Sequence, residues 1–227
     1  MYYRVTEKSP DGQVVFENGF PKYNPSTIRT KLGYYNPDWS IGVINSFSYK
    51  NYKLSFQFDG RIGGTVFSEV NGLLWESGRH EGSVNQWRDD YNEGKVNYIG
   101  KGVKVISGEL KRDGEGNIIS DTRQFAENDV PISYFDYVQN WHARGCQEAN
   151  MFDRTFFKLR EATFTYTIPK HIIDRTFLSQ ASISLVGRNL LYFSKFKYTD
   201  LDAVTGKSDG LQTPSVRRFG FNLNVTF

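Results

Sequence analysis

This sequence is poor in the features that staple a small domain or carry a helix through a membrane. Its 227 residues hold one cysteine, Cys146, which excludes an internal disulfide framework and any multi-cysteine zinc site. Cys146 is expected to be an inert thiol in a loop. No run of about 18 apolar residues occurs, so no transmembrane helix is expected. Charge of one sign is also missing. The 28 basic and 25 acidic residues leave a net charge of +3, and no like-charged block gives the footprint of nucleic-acid binding. Met1-Tyr2-Tyr3-Arg4 leads straight into polar, turn-rich sequence, without the layout of a secretory signal. His80, His142 and His171 lack metal-ligand spacing and read as solvated loop or turn positions, so neither metal nor cofactor is expected.

What is present is aromatic and two-faced. Phe and Tyr number 18 and 14, and aromatics make up 16% of the chain. The last nine residues, Phe219 to Phe227, alternate apolar and polar without a break and end on an aromatic. An outer-membrane barrel strand needs that pattern, because one face meets lipid and the other the lumen, with aromatic girdles at both boundaries. A secreted β-sandwich has a comparable composition, so the pattern carries the argument and the composition does not.

Five such strands are expected, at about 41–49, 52–62, 154–168, 181–196 and 215–227. The second is regular: Tyr52, Leu54, Phe56, Phe58 and Ile62 face one way, and Lys53, Ser55, Gln57, Asp59 and Arg61 the other. In the third strand Phe157 and Leu159 are out of phase with Ala162, Phe164 and Tyr166, which predicts a bulge near Arg160. Alternation also fails across Gly187 to Leu191, where a second irregularity is expected. Connections run short at Lys50-Asn51, then long, shorter and longer, as periplasmic turns and extracellular loops alternate in barrels. That order puts Phe227 on the periplasmic side.

Residues 1–40 read as a turn-rich loop with a small hairpin, and 63–153 as one long extracellular loop. Within the latter, Val66 to Leu74 has helix-like spacing. Gly102 to Asp121 suggests a hairpin around Asp113-Gly114-Glu115-Gly116-Asn117, and Ile132 to Trp141 one short aromatic helix. The acidic groups at 113–117 and from Asp200 to Asp209 lack EF-hand spacing and read as turns.

These residues resemble a known family. Asn36-Pro37-Asp38-Trp39, then Asn45 to Lys50 and Leu54 to Gly64, are similar to the C-terminal barrel of the SusC/RagA family of TonB-dependent outer-membrane importers. Phe157 to Glu161 with Phe164 to Pro169 resembles the family's next strand, Ser184 to Leu190 its penultimate one, and Arg218 to Phe227 its terminal one. The resemblance runs from about Leu32 to Phe227 and is weakest in 70–150. It implies an all-β fold, an antiparallel up-and-down transmembrane β-barrel of about 22 strands, of which this chain holds about the last five. On this resemblance the N-terminal barrel and the plug domain are expected to be absent from this stretch. It further implies outer-membrane lipid around the barrel, a TonB-type energy transducer reached through the missing N-terminal part, a SusD-like lipoprotein lid, and oligosaccharide or peptide cargo. Five strands do not close a membrane barrel, which takes roughly eight or more, and no export signal precedes them. Both points suggest the C-terminal part of a longer, Bacteroidetes-type outer-membrane protein.

Importers of this kind do no covalent chemistry on cargo, so no catalytic residues are expected. Alternation assigns Gln57, Asp59, Arg61, Glu161, Arg188, Arg218, Asn222 and Asn224 to a hydrated lumen wall facing plug or solute; generic lumen polarity explains each of them as well. Trp75, Trp87, Tyr134, Tyr137 and Trp141 in the long loop are candidates to stack on cargo or dock the lid, and folding of the loop on itself is the competing explanation. Phe227 is the barrel-assembly terminus. Two other functions stay open at this point: a soluble extracellular β-domain that binds carbohydrate, and a surface barrel without transport.

Overall fold

The computed structural model describes residues 1–144 and 147–227, and Cys146 lies outside the described residues. In chain order the strands are β1 (Tyr2–Tyr3), β2 (Val15–Glu17), β3 (Phe20–Pro21), β4 (Thr30–Lys31), β5 (Trp39–Tyr49), β6 (Tyr52–Ile62) and β7 (Thr65–Phe67). Helices α1 (Glu69–Glu76) and α2 (Gln86–Asn92) follow, then β8 (Val103–Ser107), β9 (Leu110–Arg112), β10 (Ile118–Asp121) and β11 (Gln124–Glu127). The chain continues through α3 (Tyr134–Val138), a π-helical turn (Gln139–Arg144), β12 (Met151–Asp153), β13 (Phe156–Thr167), α4 (Lys170–Ile173), β14 (Gln180–Ser194) and β15 (Arg218–Thr226). No helix among the described residues is long and apolar enough to cross a membrane.

Two compact units result. One comprises Met1–Tyr34, Val66–Phe152 and Gly206–Leu211; the other comprises Tyr35–Thr65, Asp153–Thr205 and Gln212–Phe227.

The second unit is built on one antiparallel sheet, in the order β15-β14-β13-β6-β5. Lys50, with φ of 52°, makes the tight turn that puts Tyr49 opposite Tyr52. The expected bulge is present at Arg160. Leu159 pairs with Phe58 and Glu161 with the adjacent Gln57, so Arg160 is an extra residue against β6. Against β14, Asn189 and Leu190 stand opposite this one residue, and Asn189 takes the left-handed conformation, with φ of 53°. The extra residue restores phase. Phe157 and Leu159 thereby share a face with Phe58, and Phe164 and Tyr166 share the same face with Leu54 and Tyr52.

Two unlike faces follow from this register. Trp39, Val43, Phe47, Leu54, Phe157, Phe164, Ile183, Leu185, Phe193, Phe219, Phe221 and Leu223 lie on one face and are all exposed, Phe219 and Phe221 by 79% and 78%. Strands of 11, 11, 12, 15 and 9 residues reach or exceed the roughly 9 needed to cross a bilayer at a tilt. At the turn end of the sheet, Tyr52 meets Tyr166 at 5.0 Å and Phe164 at 5.9 Å between ring centroids. Phe227 stacks on Phe177 at 5.5 Å, and Ser179 N donates to Thr226 O at 2.7 Å, which ties down the final strand.

The other unit takes in most of the stretch expected as one long loop over 63–153. Residues 66–152 fold together with 1–34 around a four-stranded sheet, β11-β8-β2-β3, whose β2–β8 pair is parallel. Val5, Val15, Phe16, Val66, Val103, Ile132, Tyr134 and Val138 are among its buried apolar residues. The small N-terminal hairpin turns at Asn18-Gly19, both with positive φ, the backbone for which Asn-Gly is the preferred pair. Long-range polar contacts bind this segment to the rest of the unit. Arg123 Nη1 meets Glu7 Oε1 at 2.5 Å, and Thr6 Oγ1 donates to Glu148 Oε1 at 2.6 Å. Such pairings between distant residues leave no periodicity in the sequence.

Three local readings also change. The hairpin is confined to Leu110–Asp121, because Val103–Ser107 pairs instead with β2 and β11. Val66 and Phe67 lie in β7, and the helix begins only at Glu69, where Ser68 Oγ accepts from Asn71 N at 2.9 Å. The aromatic helix is shorter, Tyr134–Val138, and passes into the π-helical turn. Asp113 caps its own turn, its Oδ1 accepting from Glu115 N and Asn117 N at 2.9 and 2.8 Å.

Candidate functional site

All eight polar residues read from alternation fall on the polar face of the five-stranded sheet. Gln57, Glu161, Arg188 and Arg218 form one row across four strands, each Cα partnered with the next. Arg188 Nε donates to Glu161 Oε2 at 2.8 Å. Asn222 and Asn224 lie opposite Ser184 and Ser182. Arg61 pairs with Phe156 and holds its guanidinium 5.6 Å from that ring centroid.

Sequence reasoning missed what covers the upper part of this face. The connection from β14 to β15 folds back onto it, and Phe196, Leu201 and Val204 are buried. Three cations of the β13 segment hold it down. Lys158, 1% exposed, donates from Nζ to Asp200 Oδ2 at 3.0 Å, Asp202 Oδ2 at 3.2 Å and Ser215 Oγ at 2.9 Å. Arg160 bridges Asp59 and Asp202, reaching the latter's Oδ1 at 3.1 Å. Arg154, 2% exposed, donates to Val204 O at 2.5 Å and lies over the Tyr35 ring at 4.2 Å. Tyr192 adds a fourth tie, its hydroxyl accepting from Leu201 N at 2.9 Å.

Asp59, expected to face plug or solute, is thus bound to a cation of its own chain. Asp200 and Asp202, read as turn residues, are anchors. Lys158 was legible in principle, since alternation with Phe157 and Leu159 already turns it to the polar face. Arg160 was not, because a bulged residue belongs to neither phase.

The loop aromatics form a connected set. Trp87 meets Tyr98 edge-on at 5.5 Å, and Tyr98 meets Tyr134 at 5.1 Å and Tyr137 at 4.6 Å. Tyr137 stacks toward Trp141 at 6.3 Å, and Trp141 meets His142 edge-on at 6.5 Å. His142 lies parallel to Trp75 at 4.0 Å, and His80 stacks on the same indole at 4.2 Å. All five candidates therefore belong to one chain of rings, with Tyr98 and His142 as the unforeseen links and His80 at its end. Tyr134 is buried and Trp87 exposed, so the set runs from the unit's core to its surface.

His142 departs from the expected solvated position. Its Nδ1 is buried without a hydrogen-bond partner among the described residues, and burial, with a smaller push from His80, lowers its pKa to about 3. Asn150 Nδ2 donates to the His142 carbonyl at 2.7 Å and holds the π-helical turn in place. In the unfolded chain an imidazole takes up its proton near pH 6.5 (about). Between these two values the unfolded state binds more protons, so stability falls as pH drops, by up to about 1.4 kcal/mol per pH unit. His142→Phe, which keeps a flat ring, is expected to flatten this dependence in urea unfolding of the detergent-solubilised chain between about pH 7 and 5. Equal pH dependence in both proteins would count against a buried neutral His142.

No protein-family profile matches the chain. In sequence it is similar to TonB-dependent receptor P3 of Formosa agariphila, with 21% identity over 210 residues, covering 88% of this chain and 17% of that receptor. In fold it is similar over its whole length to the RagAB peptide importer. The open-open and closed-closed states each give a TM-score of 0.62 at 15% identity, covering 22% and 23% of that chain. A further structure of the RagAB peptide transporter gives 0.55 at 16% identity. The chain thus spans less than a quarter of the length of these relatives. The resemblance to SusC/RagA-type TonB-dependent transporters holds in sequence and in fold.

Proposed function

We propose that this chain is a wall sector and extracellular loop region of a TonB-dependent outer-membrane importer that takes up peptides or oligosaccharides. A SusD-like lipoprotein acts as its lid, and a TonB-type transducer supplies energy through the rest of the importer. One observation carries the reading: an entire sheet face of Phe, Leu, Ile, Val, Tyr and Trp is exposed, while the opposite face is polar. In water so large an apolar patch would be covered by a partner or by self-association. Against acyl chains it needs no cover, and its aromatic ends meet the interfaces. A soluble carbohydrate-binding domain would bury those side chains together. The neighbours' description as a peptide importer favours peptide cargo. Nothing in this role requires covalent chemistry, and no enzymatic function is proposed.

Fractionation and uptake test this reading. The gene product is expected in the outer-membrane fraction, and its deletion should abolish growth on peptide or oligosaccharide while sparing growth on the monomers. Recovery in the aqueous fraction, or unchanged growth on every polymer, would reject it. The isolated 227-residue chain should be insoluble without detergent, because β5 and β15 are edges of the sheet with unpaired backbone groups. A monodisperse monomer in aqueous size-exclusion chromatography would contradict that expectation.

A further inference from the structure

Beside Lys158 lies a cleft of about 330 Å³ within the sheet unit, floored by Tyr192 and Asn189 and walled by the two limbs of the β14–β15 connection. Its shape is fixed from below. Asn189, held in its left-handed bulge conformation, donates from Nδ2 to Val216 O at 3.1 Å. Ser215 N donates to Asp200 Oδ2 at 3.3 Å, which joins the two limbs. Lys197 and Arg217 line the cleft, and its one lining carboxylate, Asp200, is already held by Lys158.

A second observation points the same way. Arg188 and Arg218 stand directly opposite each other on the polar face, an arrangement that destabilises a sheet unless an anion compensates. Glu161 binds Arg188, and among the described residues neither Arg217 nor Arg218 has an ion pair. Cations therefore outnumber carboxylates along this end of the β14–β15 ribbon, with Arg217 lining the cleft and Arg218 next to it in the chain, opposite Arg188.

We propose that this end of the ribbon is a carboxylate-accepting subsite for cargo, with Arg217 and Arg218 as its recognition residues and Asn189 as a positioning residue. The proposal rests on the importer reading above. Planar guanidinium forks match a carboxylate in two-point hydrogen bonding, which a lysine does not reproduce. The carboxylate has two possible sources, an acidic side chain of a peptide and the uronate of an oligosaccharide.

The complete gene product in detergent micelles should be titrated with tetraglutamate and tetragalacturonate, and with tetraglutamine and maltotetraose as neutral counterparts. At least one acidic probe is expected to bind at least about tenfold more tightly than its counterpart, as charge-assisted hydrogen bonds allow. Preference for tetraglutamate assigns the carboxylate to peptide, and preference for tetragalacturonate to saccharide. The double variant Arg217→Gln with Arg218→Gln should lose the preference. Absence of any preference, or its survival in that variant, overturns the subsite. Where the double variant fails to assemble, the wild-type preference must shrink between about 0.05 and 0.5 M salt, and a salt-independent preference overturns the proposal. A protein that stays in the outer membrane yet shows no preference rejects the subsite and leaves the importer reading standing.

Discussion

Leu223→Arg is expected to cost about 2–4 kcal/mol or to block assembly into the outer membrane, whereas Asn222→Arg, one residue away, should be tolerated within about 0.5 kcal/mol. Leu223 pairs with Ile183 on the exposed apolar face, and Asn222 pairs with Ser184 on the polar one. Adjacent strand residues point to opposite faces, so the two variants differ in the solvent the new charge meets and hardly at all in local backbone. Heat-modifiable migration of the complete gene product and its recovery in the outer-membrane fraction give the readout. Equal tolerance at both positions would mean that neither face meets lipid, and the soluble-domain reading would return.

Lys158→Met is expected to release the β14–β15 connection from the sheet, at a cost of about 3–5 kcal/mol, the range for removing one partner of a buried ion pair. Asp200 and Asp202 would otherwise remain close to Phe156 and Leu201 without their shared cation. Faster protease cleavage in residues 196–217 is the measurement, and an unchanged rate would refute the anchoring role. Adding Asp200→Asn and Asp202→Asn should recover part of the loss, since apolar or neutral replacements of whole buried clusters are often tolerated.

Acid acts on the same anchor with a defined sign. Burial pushes both carboxyls up, but hydrogen bonds and charge from Ser215 and Lys158 on Asp200, and from Arg160 and Lys158 on Asp202, hold both below the ordinary carboxylate value. Their stabilisation is therefore complete above about pH 4 and lost only as pH falls below it. The connection should therefore stay pinned between about pH 7 and 5, the range in which the His142 dependence is read.

The two-faced strands were legible because a strand's side chains alternate with period two, and an apolar face opposite a polar one writes that period into residues 52–62 and 219–227. Even the bulge at Arg160 was readable, as a phase slip that only an extra residue repairs. Residues 1–34 and 66–152 were not readable as one unit. Their joint sheet rests on pairings such as Val15 with Val103, whose partners lie far apart in the chain. The same holds for the polar face: alternation placed Asp59, Glu161 and Arg188 on it, but folding alone brought Asp200 and Asp202 back onto Lys158 and Arg160. Period and chemistry are local properties that a sequence carries in full, while the closing of a long connection onto a surface depends on which distant charges meet. Only the tertiary structure decided that.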